Sequence, residues 1–155
     1  MKRTHMLLAP ALLGAISASA VAGAQAGVPT ARSARAASVQ LHNSGLGKIL
    51  VDASGFTLYE FSRDSRSKDT CVRVNGCSAV WPALSTHGNP TAGSGVKASL
   101  LSTIKLPGGA RQVTYAGHPL YRYAEATERA ETAYVGVSHF GGKWEALNAA
   151  GGAVG

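Results

Sequence analysis

Between Val39 and Leu147 the apolar positions fall in short runs, separated by clusters of Gly, Pro, Asn, Asp and Ser. This is the spacing of strands and turns rather than of helices. Residues 39–42 and 48–52 are short β-branched or alternating runs, 52–55 reads as a turn, and 56–61 is the next strand. In that strand Phe56, Leu58 and Glu60 share one face and Thr57, Tyr59 and Phe61 the other. Apolar residues on both faces predict a central strand covered on both sides, at least in part. Residues 100–106, the turn 107–109 and residues 111–115 predict a hairpin. Ala116 and Gly117 make a tight turn in which the glycine can take positive φ, leading into a strand over 119–124. Residues 143–147 close the pattern. Residues 96–101 read as strand or one helical turn, 125–131 as an exposed turn or short helix, and 85–95 as a loop separating two halves.

The halves say the same thing. Gly55-Phe56-Thr57-Leu58-Tyr59-Glu60-Phe61, ending at Trp81-Pro82-Ala83-Leu84, is echoed by Gly117-His118-Pro119-Leu120-Tyr121-Arg122-Tyr123, ending at Trp144-Glu145-Ala146-Leu147. The tryptophan follows its glycine by 26 residues in the first copy and 27 in the second, and Val51 and Val113 each stand four before it. Such self-similarity marks one supersecondary unit used twice, each copy too small to bury its own apolar face. The fold class expected is all-β with minor helical turns. Two related β-meanders, about 46–85 and 100–148, pack pseudo-symmetrically into one domain over 39–148.

Composition changes the picture mainly at the ends. Lys2 and Arg3 precede an apolar run from Met6 to Ile16 that gives way to small residues through Ala26. That is a secretory signal peptide over 1–26, with Ala24-Gln25-Ala26 fitting the cleavage rule, and its apolar part is too short for a membrane anchor. Residues 27–38 have no periodicity and read as a disordered tether, and 149–155 as a flexible tail. Removing Lys2 and Arg3 takes the formal charge from +7 to +5. That balance suits anionic cell-envelope components. Arg63, Arg66, Lys68 and Arg73 form the one dense basic group, with Asp64 and Asp69 among them, a mixed run of the kind usually found in solvated loops. There is no basic helix and no basic stripe interleaved with aromatics, so nucleic acid is not an expected partner. A soluble monomer is expected, with no membrane span.

Cys71 and Cys77 are the whole cysteine complement. In an exported chain an even pair on one loop reads as a disulfide, and a zinc thiolate site would need two further ligands. Asp64, just after a strand, either shapes a turn through backbone N–H groups or acts as an acid or metal ligand. Tyr59 and Tyr121 are buried amphipathic aromatics or ligand-binding hydroxyls, and the matched places of Trp81 and Trp144 favour core. Of the histidines, His118 in its turn and His139 are the candidates for a noncovalent haem or copper site. No nucleophile elbow, Ser-His-Asp order or paired catalytic carboxylates stand out, so an enzyme is not expected and no cofactor is assigned.

Tyr59-Glu60-Phe61-Ser62-Arg63-Asp64 resembles the Y-x-[FWY]-x-x-D signature of a bacterial family of secreted proteins and lipoproteins whose repeat has no known function. The first copy continues as the family does, through Cys71 and Cys77 to Trp81-Pro82. The second resembles its other half, with Gly117-His118-Pro119-Leu120-Tyr121, Tyr123, Gly136 and Trp144. Three departures matter. No cysteine follows the signal peptide for lipid attachment, Ala126 stands where the second motif wants aspartate, and the loop 127–132 lacks the usual Gly-Asp character. The resemblance implies a secreted or envelope-located protein and promises no activity; the mild positive charge and the want of a catalytic motif lead to the expectation of a non-enzymatic binding or structural module. The alternative is a redox accessory that holds haem or a metal ion.

Overall fold

The computed structural model describes residues 35–155. The leader read at 1–26 and most of the tether lie outside the described residues. β1 (Ser38–Ser44) and β2 (Gly47–Asp52) form a hairpin in the register Ser44 to Gly47 and Val39 to Asp52. Its turn is closed by the Ser44 hydroxyl, which donates to the Gly47 carbonyl and accepts from the Leu46 N–H. β3 (Tyr59–Phe61) is buried at every residue, as the two-sided pattern of 56–61 predicts. β4 (Ser85–Thr86) and β5 (Thr91–Ala92) follow a single helical turn, α1 (Cys77–Val80). β6 (Leu101–Lys105) and β7 (Arg111–Tyr115) make the expected hairpin around a 3-10 turn at Pro107–Gly109. β8 (His118–Pro119), β9 (Val137–His139), β10 (Gly142–Leu147) and β11 (Ala153–Val154) complete the order.

Among the described residues the strands form three small open sheets, ordered β2-β1-β5, β11-β10-β3 with β9 beside β10, and β4-β7-β6 with β8 beside β7. The two copies meet at their Leu-Tyr motifs. The Tyr59 N–H donates to the Tyr121 carbonyl at 3.0 Å and the Tyr121 N–H to the Tyr59 carbonyl at 2.9 Å, a reciprocal pair about a pseudo-twofold axis. Around it the copies exchange partners. β3 of the first copy pairs with β10 of the second, Tyr59 opposite Ala146. Correspondingly Tyr121 of the second bridges Ala83 of the first. The halves are therefore interlocked rather than stacked as separate meanders, because each motif strand completes its hydrogen bonds only with the other copy's tryptophan segment. Leu58 and Leu120 point into an aliphatic core with Leu50, Leu84, Val113 and Leu147, while Tyr59 and Tyr121 point into an aromatic one.

Both turn glycines are pinned by the opposite copy. Gly55 and Gly117 take positive φ (89° and 87°), where only glycine avoids the steric cost. Arg129 packs over Gly55 and Arg66 over Gly117, and the Ala130 and Ser67 N–H groups bond the two glycine carbonyls.

Four expectations need correction. The tail after Asn148 is not frayed: the Asn148 side chain accepts from the N–H groups of Ala150 and Gly152, reversing the chain so that β11 covers the edge of β10. The tether ends earlier than residue 38, since the Ala37 N–H donates to the Thr86 hydroxyl and Ser38 pairs with Thr91. The segment 85–95 is more than a spacer, for it supplies β4 and β5. The strand expected over 119–124 shortens to β8 and single bridges at Tyr121.

Candidate functional site

Six motif aromatics converge on the pseudo-twofold axis. Phe61 stacks on Trp144 (4.2 Å, 10°), Trp144 on Trp81 (4.1 Å, 3°), and Tyr123 leans on the other face of Trp81 (5.0 Å, 51°). Tyr59 meets Trp81 edge-on at 5.2 Å and Tyr121 meets Trp144 edge-on at 5.1 Å. Each copy's tryptophan is thus sandwiched between the other copy's tryptophan and an aromatic from a Y-x-[FWY] motif. Offset and T-shaped arrangements of this kind suit the ring quadrupoles. The bridged Cys71 and Cys77, with Cα atoms 5.4 Å apart, close the same cluster from the first copy's loop. His139 lies at its rim, exposed and stacked on Phe140. Its Nδ1 accepts the Trp81 indole N–H at 3.4 Å and its backbone carbonyl accepts that of Trp144 at 3.2 Å.

Asp64 ties the first motif to the second. Its Oδ2 accepts the Tyr121 hydroxyl at 2.6 Å and its Oδ1 accepts the Thr70 N–H at 2.7 Å. Burial pushes its carboxyl up to about 6, against the pull of those two hydrogen bonds. In the second copy Ala126 leaves the pseudo-equivalent hydroxyl, that of Tyr59, without a carboxylate, and it donates to the Glu131 carbonyl at 3.3 Å instead. Burial raises both tyrosine hydroxyls well above their ordinary range, so they stay protonated donors.

His118 contacts Glu60 through Nδ1, crossing from one copy to the other. Arg122, which holds the place of Glu60 in the second copy, makes its own contact across the copies, 3.1 Å from Asp52. Burial, reinforced by the charge of Glu145 directly across the β3–β10 ladder, pushes Glu60 up to about 7. Burial and then Arg66 move His118 below its usual value. In both groups burial is the larger cause and disfavours the charged form. Glu60 was not among the residues singled out from sequence; its signal was a lone carboxylate inside an aromatic strand.

Folded Glu60 binds its proton more tightly than the unfolded chain, so its contribution to stability falls as pH rises from about 4.5 to 7. Glu60→Gln keeps the shape and cannot ionise. Its melting temperature relative to the parent should therefore climb across that window; a difference that falls with pH would mean that the ionised pair, not burial, sets the energetics.

Among the described residues no group of three or more His, Cys, Asp and Glu side chains is arranged around a common point. A recess of about 270 Å³ opens where the copies meet, lined by Phe56 and Pro82 of the first and Arg122, Tyr123, Ala124 and Ala126 of the second, the region where the motif aspartate is missing.

A family described as a secreted repeat of unknown function matches the chain twice, over residues 41–85 and 102–148. The chain belongs to that family. The two matched segments are the two interlocked copies, so the secreted-repeat unit coincides with the structural one. No curated protein and no solved structure matches the chain significantly. No helix among the described residues is long and apolar enough to cross a membrane.

Proposed function

We propose that this secreted-repeat protein is a non-enzymatic binding or structural module of the bacterial envelope, exported by its leader, released in soluble form and held to anionic envelope components by its surface. One observation carries this reading: the signature residues are spent on one another. Tyr59, Phe61, Trp81, Tyr121, Tyr123 and Trp144 form a single ring cluster, and Asp64 holds the Tyr121 hydroxyl and the Thr70 N–H. A motif used in this way builds a scaffold, and function on a scaffold falls to surface loops.

The test uses natively exported protein. Expected are a soluble mature chain in the medium or periplasm, no acyl mass, no visible absorbance band and no stoichiometric metal, with retention on washed envelope fractions that salt reverses. A Soret band or bound metal would favour the redox alternative, and recovery in the detergent phase with acyl mass would overturn soluble release.

A further inference from the structure

The charges of the first copy are sorted by depth. Asp52, Glu60 and Asp69 are buried and Asp64 is half-buried. Each has an internal partner: Arg122 for Asp52, His118 for Glu60, the Tyr121 hydroxyl and Thr70 N–H for Asp64, and the Val72 N–H, at 2.8 Å, for Asp69. Arg63, Arg66, Lys68 and Arg73 are all exposed. The run 63–73 therefore holds its cations out to solvent and turns its carboxylates largely inward, although in sequence it reads as mixed charge. Lys68 and Arg73 face Lys105, from the end of β6, around a recess of about 110 Å³ whose wall also includes Asp69, Val72, Ile104 and Leu106. Arg111, opposite Lys105 in the β6–β7 register, turns its guanidinium to the Thr103 hydroxyl and lines a separate recess.

We propose that this recess is a docking site for a linear polyanion whose repeating unit carries a phosphodiester. The proposal rests on the envelope-binding reading and assigns it a surface and a ligand chemistry. Three cations from two segments of chain converge on a recess whose one carboxylate, Asp69, is buried and accepts the Val72 N–H, so the cations outnumber it and stand nearer the solvent. Arg and Lys donors suit phosphate oxygens, and Arg can engage two at once. The opening takes one anionic group at a time, which suits a flexible chain of repeating charges. A bilayer surface is disfavoured because peripheral binding inserts fully exposed large apolar side chains beside the cations, whereas Val72, Ile104 and Leu106 in the recess wall are only partly exposed. Leu46, the one exposed large hydrophobic among the described residues, does not line the recess.

The experiment measures binding of the exported full chain to synthetic poly(glycerol phosphate) and, separately, to phosphatidylglycerol vesicles, at low and physiological salt. Two triple variants with equal change in net charge are compared. Lys68→Glu with Arg73→Glu and Lys105→Glu reverses the recess; Lys48→Glu with Lys97→Glu and Lys143→Glu reverses exposed lysines outside it. Expected for the polymer is a loss of at least about tenfold in Kd for the recess variant, a flatter salt dependence, and a much smaller loss for the control. Single variants Arg73→Gln and Lys105→Gln, checked for an unchanged melting temperature, should each show part of the loss.

Equal losses in both triple variants would overturn the recess and leave net charge as the cause. Binding to vesicles but not to the polymer would overturn the ligand chemistry. Envelope fractions that retain the parent and the recess variant alike would remove the recess while leaving envelope binding standing; fractions that do not retain the parent remove the envelope reading itself.

Discussion

Replacing Trp81 or Trp144 by alanine should destabilise the protein by about 3–5 kcal/mol in either case, a large share of the roughly 5–15 kcal/mol that holds a domain of this kind folded. Both side chains are essentially inaccessible, at 1% and 0% exposure, and each contacts rings from both copies. Truncating one leaves a cavity between rigid rings that cannot collapse into it, and strands the His139 group that its indole N–H bonded. The two variants should lose similar amounts because the environments are pseudo-symmetric. Urea unfolding reads the effect, with Leu46→Ala, exposed on a turn, expected to stay within about 0.5 kcal/mol of the parent. If both tryptophan variants keep the parental midpoint, the interlocked core is wrong.

Removing the disulfide should have the next largest effect. Cys71 and Cys77 are six positions apart, so the closed loop is small and the chain-entropy contribution is about 2–3 kcal/mol. Both cysteines are fully buried against the aromatic cluster, which makes Cys71→Ala with Cys77→Ala the cleaner substitution, since serine would add buried hydroxyls. The double variant should unfold at lower denaturant than the parent, and reductant should lower the parent toward it. Intact mass of natively exported material should rise by two hydrogen atoms on reduction. Two freely alkylated thiols in unreduced protein would contradict the bridge.

Most of this architecture was legible in the chain because it is written in short-range signals. The echo of Gly-x-x-Leu-Tyr with its distant tryptophan gave the two copies, and the side-chain alternation of 56–61 placed Leu58 and Tyr59 in different cores. Positive φ at Gly117 followed from the turn it occupies. What escaped depends on partners far away in sequence. The exchange of strands between copies is a choice of hydrogen-bonding partner that alternation alone does not specify. The Arg66 and Arg129 pins stand eleven and twelve residues after their copies' glycines, so the one-residue insertion that lengthens the second tryptophan spacing also blurred this match. The tail looked unstructured because its strand is only Ala153–Val154, held by an Asn148 turn rather than by apolar bulk.

The candidate chemistry divided in the same way. His118 was chosen because it sits in a turn, yet its partner Glu60 lies in the other copy, and burial, which moves the titration of both, is not a property of either residue's neighbours in sequence. The depth sorting of charges in 63–73 was hidden for a related reason: sequence counts Asp64 and Asp69 beside the arginines, whereas the fold turns the acids inward and leaves the bases outside.

The two copies stabilise each other through the Trp81–Trp144 contact, and a double-mutant cycle reads that contact directly. Trp81→Leu, Trp144→Leu and the double variant keep apolar bulk while removing the stacked rings, so all three should remain folded enough for urea titration. The expected result is an interaction energy of about 0.5–1.5 kcal/mol between the two sites. Losses that add to within about 0.3 kcal/mol would contradict the account, because residues 4.1 Å apart and parallel to within 3° cannot be energetically independent.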